Sequence, residues 1–188
     1  MKIIAVILVY NCGDVLLNTL KSIDGKVDEI HCYDTCWLIS PKTLHSSDNT
    51  KTVIENFSIT SKTKADYTEL PSPMSEGHAR TASIKNINDG DWVFVIDSDE
   101  VVTVWGDDIR SILETSNEKG YFWFMEFSLF KLCRLFKKTK DMGYFFCTVM
   151  SGGKSLGELR AININIHHDY NKRKHEKRAS GTAQRPHP

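Results

Sequence analysis

Three carboxylates fall within four residues at Asp97-Ser98-Asp99-Glu100, directly behind the apolar run Trp92 to Ile96. Asp97 and Asp99 are hard oxygen donors of the kind that bind Mg2+ or Mn2+, and such a cation can hold a diphosphate. An isolated Asp-x-Asp reads as readily as an acidic turn or a helix N-cap. The preceding strand distinguishes this one. Five apolar residues without a polar break read as a strand buried on both faces, the pattern of a parallel sheet. Such a strand delivers its last residues to the carboxyl edge of the sheet, where open α/β folds bind ligands.

Two more strand ends carry polar groups. The run Ile3 to Val9 ends at Tyr10-Asn11, and Glu29 to Tyr33 ends at Asp34-Thr35. In a parallel sheet all of these ends share one edge and one cleft. Turn chemistry does not require that recurrence, so together the ends say more than each does alone.

The elements that would position these groups alternate. After the first strand, Asn11 to Asp14 reads as a turn with Asp14 as N-cap. Val15 to Ile23 then has the spacing of an amphipathic helix, closed by Gly25. Residues 41–52 are polar and read as a weak helix, Phe57 to Thr60 as a short strand, and Lys62 to Ser72 as a loop broken by Pro71 and Pro73. Ser75 to Ile87 reads as a helix capped by Ser75, and Asp107 to Thr115 as another. Strands alternating with helices imply a mostly parallel sheet with flanking helices. After Gly120 the pattern changes to aromatic and apolar runs, then to the Ile/Asn alternation of Ala161 to Ile166. That part reads as a smaller antiparallel region of strands and hairpins.

Composition bounds the function classes. With 24 basic and 24 acidic residues the net charge is +0, so nothing global favours nucleic acid. Five Cys, an odd number without paired spacing, make neither a disulfide framework nor a zinc site. They read as reduced thiols, and the chain as cytoplasmic. Ile3 to Val9 is too short to span a bilayer. The segment from Asn171 onward is basic and Pro/Gly-containing. It reads as a flexible solvated tail that could also touch a membrane surface.

The motifs, taken in order, resemble the family 2 glycosyltransferases, which have the GT-A (Rossmann-like) fold. The first strand leads to Tyr10-Asn11. Val27-Asp28-Glu29-Ile30 precedes Asp34-Thr35. Gly77-His78-Ala79-Arg80 resembles a helix start of that family. Gly90-Asp91-Trp92 leads into Asp97-Ser98-Asp99-Glu100. Arg134-Leu135-Phe136-Lys137-Lys138 resembles its "RLFRR" segment, and His167-His168-Asp169-Tyr170 its late His. The resemblance covers residues 3–170 and is most specific in the first half. It implies one domain over residues 1–170, with a nucleotide-sugar-binding half at 1–104 and an acceptor half at 105–170, before the tail at 171–188. The domain would be a compact part of a larger protein or assembly.

The resemblance implies a metal-dependent inverting transfer of a sugar from a nucleotide-diphosphate donor, UDP by default, to an acceptor that may be glycan, lipid or protein. Val9, Tyr10 and Asn11 would border the base, and Asp34 would accept from base or ribose. Arg80 would reach the nucleotide or diphosphate. Asp97 and Ser98 would face the ribose or the cation's water shell, and Asp97 and Asp99 would serve Mn2+ or Mg2+. His167 or His168 would add a metal or diphosphate contact; on a strand they point to opposite faces. Inversion also needs a carboxylate to take the acceptor's proton. Where relatives place a His-Glu, this chain has Met150-Ser151, which leaves Glu126 and Glu158 as candidate bases. That departure keeps a second reading open, a non-catalytic nucleotide-sugar-binding module. A nucleotidyltransferase is disfavoured, because Val9 to Leu16 has one Gly and no Lys or Arg to hold a triphosphate.

Overall fold

In the computed structural model, described for residues 1–36, 43–71, 75–125, 133–145, 148–156 and 160–168, the apolar run at the start becomes the central strand. β1 (Ile3–Val9) is buried along its whole length. It pairs in parallel with β2 (Glu29–Asp34) on one side and β4 (Trp92–Val95) on the other. β2 pairs in parallel with β3 (Ala65–Glu69). The carboxyl ends of these four strands therefore lie on one edge, and those of β1, β2 and β4 are the three that the sequence implied.

The sheet continues beyond β4 in mixed sense. β7 (Cys133–Lys137) runs antiparallel to β4 and to β6 (Gly120–Met125). β11 (Arg160–His168) runs parallel to β6, and β5 (Glu100–Trp105) closes the edge antiparallel to β11. The eight strands stand in the order β3-β2-β1-β4-β7-β6-β11-β5. A separate antiparallel sheet holds β8 (Met142–Phe145), β9 (Thr148–Ser151) and β10 (Lys154–Ser155). The expected class, a mostly parallel α/β sheet with a smaller antiparallel part, is what forms.

Side chains alternate across β1, so each face of the sheet has its own core. Ile3, Ala5, Ile7 and Val9 pack with α1 (Gly13–Ile23), α2 (Thr50–Thr60) and α4 (Ile109–Thr115). Ile4, Val6 and Leu8 pack with α3 (Glu76–Ile84) and with Met142 and Val149 of the small sheet. Helices on both faces explain why β1 and β4 carry no polar break.

Several local expectations are corrected. Phe57 to Thr60 is the last turn of α2, not a strand. Ile54 and Phe57, three apart, bury one helical face there. The weak helix expected over 41–52 starts only at Thr50, because Asp34, Asn11 and Asp48 take the amides of Ser46, Ser47 and Thr50 outside any helix. The loop expected over Lys62 to Ser72 contains β3, a polar strand at the edge of the sheet. Ser75 does cap α3, accepting from the His78 amide, but that helix ends at Ile84. Asp14 sits inside the first turn of α1 rather than at its cap. β5 was not anticipated, although Val101, Val102 and Val104 are β-branched. Among the described residues no helix is long and apolar enough to cross a membrane.

Candidate functional site

The edge formed by the ends of β1, β2 and β4 gathers Asn11, Asp34 and Asp97. At its centre, a turn follows β4. The Glu100 amide donates to the Asp97 carbonyl at 3.0 Å. The Asp97 amide in turn donates to Glu100 Oε2 at 2.8 Å. Ser98 and Asp99 occupy the middle of this doubly closed turn. Ser98 is buried, its carbonyl taking the Thr19 hydroxyl of α1 at 2.9 Å, and Asp99 is only 2 % exposed.

Two guanidiniums converge on Asp97. Arg80 of α3 donates to Oδ1 at 2.8 Å, and Arg134 of β7 donates to Oδ2 at 3.0 Å. Their positions follow from the elements. Arg80 lies one helical turn after Glu76, whose carboxylate it also contacts at 2.9 Å. Leu135 stands opposite Phe94 in the antiparallel β7–β4 pair, so Arg134, one step on, reaches the carboxyl end of β4. Arg134 also contacts Glu100 at 3.3 Å. The Asp97 side chain keeps 31 % exposure, so it is the face of this cluster that solvent reaches.

The charges set one another. Burial opposes ionisation of Asp97, but Arg134 and Arg80 outweigh it and hold the carboxyl well below the usual carboxylate range. Glu100 goes the other way. Burial pushes it up to about 7, the Asp97 charge adds to the rise, and Arg134 only partly offsets it. Two carboxylates three residues apart are therefore pushed in opposite directions. Asp97 is held as an anion at the mouth, and Glu100 behind it is held toward its protonated form.

β11 brings the histidine pair to the same turn. In the β11–β5 register His167 stands opposite Val101 and His168 opposite Glu100. His167 follows Asn163 and Asn165 on the exposed side of β11, away from Ile162, Ile164 and Ile166.

At the neighbouring end of the edge the expected nucleoside groups bond to residues 43–48 and to Tyr67. Asp34 has no exposure and accepts the Ser46 amide at 2.9 Å and the Tyr67 hydroxyl at 2.7 Å. Asn11, at φ 47°, takes the Ser47 amide on Oδ1 at 2.8 Å while its own amide donates to Ser46 Oγ. The Tyr10 hydroxyl donates to the Thr43 carbonyl at 2.9 Å. Val9 is buried, and its carbonyl accepts the Thr35 amide. Residues 43–48 are thus laced over the ends of β1 and β2 by the groups that the resemblance assigns to a nucleoside. Little apolar burial backs that lacing, and Leu44 is 49 % exposed.

The structure thus brings together Arg80, Asp97, Ser98, Asp99 and the β11 end carrying His167 and His168. It places Val9, Tyr10, Asn11 and Asp34 on the neighbouring stretch of the same edge. Glu126 and Glu158 lie outside the described residues, as does the tail at 171–188. Trp105 packs edge-on against Phe94, with ring centroids 5.3 Å apart, as part of the core. Arg134 and Glu100 belong to the site, although no role was expected of them. Their signals were a basic residue opening an apolar strand and a third carboxylate adjoining the pair.

No family model matches the sequence, and no curated protein matches it. Solved structures do. S. aureus TarS superposes with a TM-score of 0.50 at 17 % identity, over 68 % of this chain and 22 % of that one. TarS 1-349 in complex with UDP gives 0.50 at 17 % identity, over 68 % of this chain and 36 % of that one. The chain thus spans about a fifth to about a third of the neighbours' lengths. At this identity the likeness is one of fold alone.

Proposed function

We propose that this chain is a glycosyltransferase domain of the family 2 type, with a nucleotide-diphosphate sugar as donor. The observation that carries the reading is the carboxylate turn at the carboxyl end of β4, with Asp97 kept ionised and facing outward between two guanidiniums. A fixed carboxylate there suits hydroxyl donors such as those of a ribose or sugar. UDP is the donor nucleotide we favour, since a structure of similar fold holds UDP.

Among the described residues no group of three or more His, Cys, Asp and Glu side chains forms a metal cage. That fits a cation carried largely by substrate. Mg2+ is commonly bound by one or two carboxylates plus phosphate oxygens, not by an all-protein set. Asp99 would be the protein's ligand, with His167 or His168 beside it. Asp97, each oxygen already facing a guanidinium, would meet the ribose or the cation's water shell. When bound, Mn2+ or Mg2+ would neutralise charge on the leaving nucleoside diphosphate. Arg80 and Arg134 aim Asp97 and keep it anionic. The acceptor's proton would pass to a carboxylate of the second half, Glu126 or Glu158. The acceptor class is open between glycan, lipid and protein, and the setting we favour is cytoplasmic.

One feature favours a second reading, a binding module without transfer. Residues 148–151, where a His-Glu base would fall, form β9, and Met150-Ser151 supplies no carboxylate. Hydrolysis of a UDP-sugar separates the two readings. Calorimetry with UDP and Mn2+ tests what they share. Asp99→Ala should abolish the Mn2+ dependence of binding while leaving the thermal midpoint near that of the parent. Unchanged affinity would remove Asp99 from the site.

A further inference from the structure

Glu100 makes no sense as a packing residue. It opens a β-branched strand, has no exposure, and sits where an apolar side chain would cost less to bury. Its carboxylate makes two kinds of contact. Oε2 receives the Asp97 amide at 2.8 Å, while Arg134 approaches Oε1 at 3.3 Å and Oε2 at 3.5 Å. The Glu100 amide closes the same turn from the other end, on the Asp97 carbonyl. One residue therefore ties both ends of the Asp97–Glu100 turn and fixes the guanidinium that grips Asp97.

We infer that Glu100 is a positioning residue, which sets the directions of Asp97 and Asp99 and couples them through Arg134 to β7. This rests on the reading of the edge as a donor site. Without the side-chain closure, the turn loses one of its two closing bonds, and Arg134 loses the carboxylate that braces it against Asp97. The turn that carries Ser98 and Asp99 then loosens, and the carboxylate pair loses its fixed spacing. The role is one of geometry, and Glu100 touches no substrate.

Three variants separate its contacts. Glu100→Ala removes both. Glu100→Gln keeps an oxygen for the Asp97 amide but gives Arg134 a neutral partner. Glu100→Asp keeps the charge on a shorter arm. Two readouts are needed, amide exchange at Asp97 and UDP affinity with Mn2+. The Ile96 amide, which donates to the Val6 carbonyl, serves as the internal control for folding. In Glu100→Ala, exchange at Asp97 should rise about tenfold or more relative to Ile96, and UDP affinity should fall by about the same factor. Glu100→Gln should restore Asp97 protection but not the full affinity. Glu100→Asp should restore neither fully.

Parent-like UDP affinity in a folded Glu100→Ala, or an Asp97 amide as protected as before, would overturn the inference. Should Glu100→Ala not fold, parent-like affinity in Glu100→Gln would overturn the Arg134 coupling. A parent chain that binds no UDP would defeat the proposed function instead, and exchange at Asp97 would still decide whether Glu100 holds the turn.

Discussion

At the residue scale, the site is a balance of four charged groups. Asp97 is pulled down by Arg134 and Arg80 against its burial, and Glu100 is pushed up by burial and by Asp97. The two carry opposite signs in the pH dependence of stability. A depressed carboxyl stabilises the fold above its ordinary value of 3.8, and that stability is lost as pH falls through the folded value. A raised carboxyl does the reverse. Its contribution is full below 4.5 and is lost as pH rises through about 7. In the window between, the titration of Glu100 should make stability fall with rising pH. Urea midpoints of the parent minus those of Glu100→Gln isolate that slope; a difference that is flat or rising across the window contradicts it. Replacing Asp97 by Ala leaves two buried guanidiniums facing each other and should cost about 2–4 kcal/mol, read from the same urea curves. A loss within about 0.5 kcal/mol would mean that solvent already screens the pair.

At the element scale, the buried strands were legible because their apolar runs admit one reading. β1 and β4 stand where the sequence put them. The amphipathic α1 does too, with Leu16 and Leu20 fully buried. Phe94→Ala, in the strand that carries the motif, should cost about 3–5 kcal/mol in chemical denaturation; a cost below about 1 kcal/mol would place the core elsewhere. The polar elements were less legible. β3 reads Ala-Asp-Tyr-Thr-Glu, which looks like loop because an edge strand needs only one buried side, and Ala65 is its buried residue. The start of α2 was hidden because Asp48 and Thr50 bond to each other and to Gly13 and Cys12 rather than in a helical pattern. β5 was hidden behind the acidic cluster that it begins. The segment over Asp34 was invisible because its hydrogen bonds join residues 12 to 36 positions apart. Asp34→Ala strips Ser46 and Tyr67 of their shared acceptor. It should therefore speed amide exchange at Ser46 while leaving β1 protected, and equal acceleration in β1 would show that the segment is part of the core.

At the scale of the whole molecule, the sheet joins the two halves that the sequence kept apart. β5 departs from the carboxylate turn, and β11 returns to it, so the histidines at 167 and 168 arrive beside Glu100 although some 70 residues separate them. The sequence showed a motif order and an edge. It could not show that return, because pairing between distant strands leaves no local mark. Nor could it show the grip of Arg80 and Arg134 on Asp97, which comes from α3 and β7 meeting at the end of β4. The most direct measurement is the thermal midpoint of the full chain with UDP, with and without Mn2+, alongside Asp99→Ala. A ligand held only by the native state raises the midpoint by mass action. UDP should raise it only when Mn2+ is present, and that rise should vanish in Asp99→Ala. A midpoint unmoved by UDP and Mn2+ together, or moved equally in Asp99→Ala, would contradict the assignment of this edge as a metal-assisted donor site.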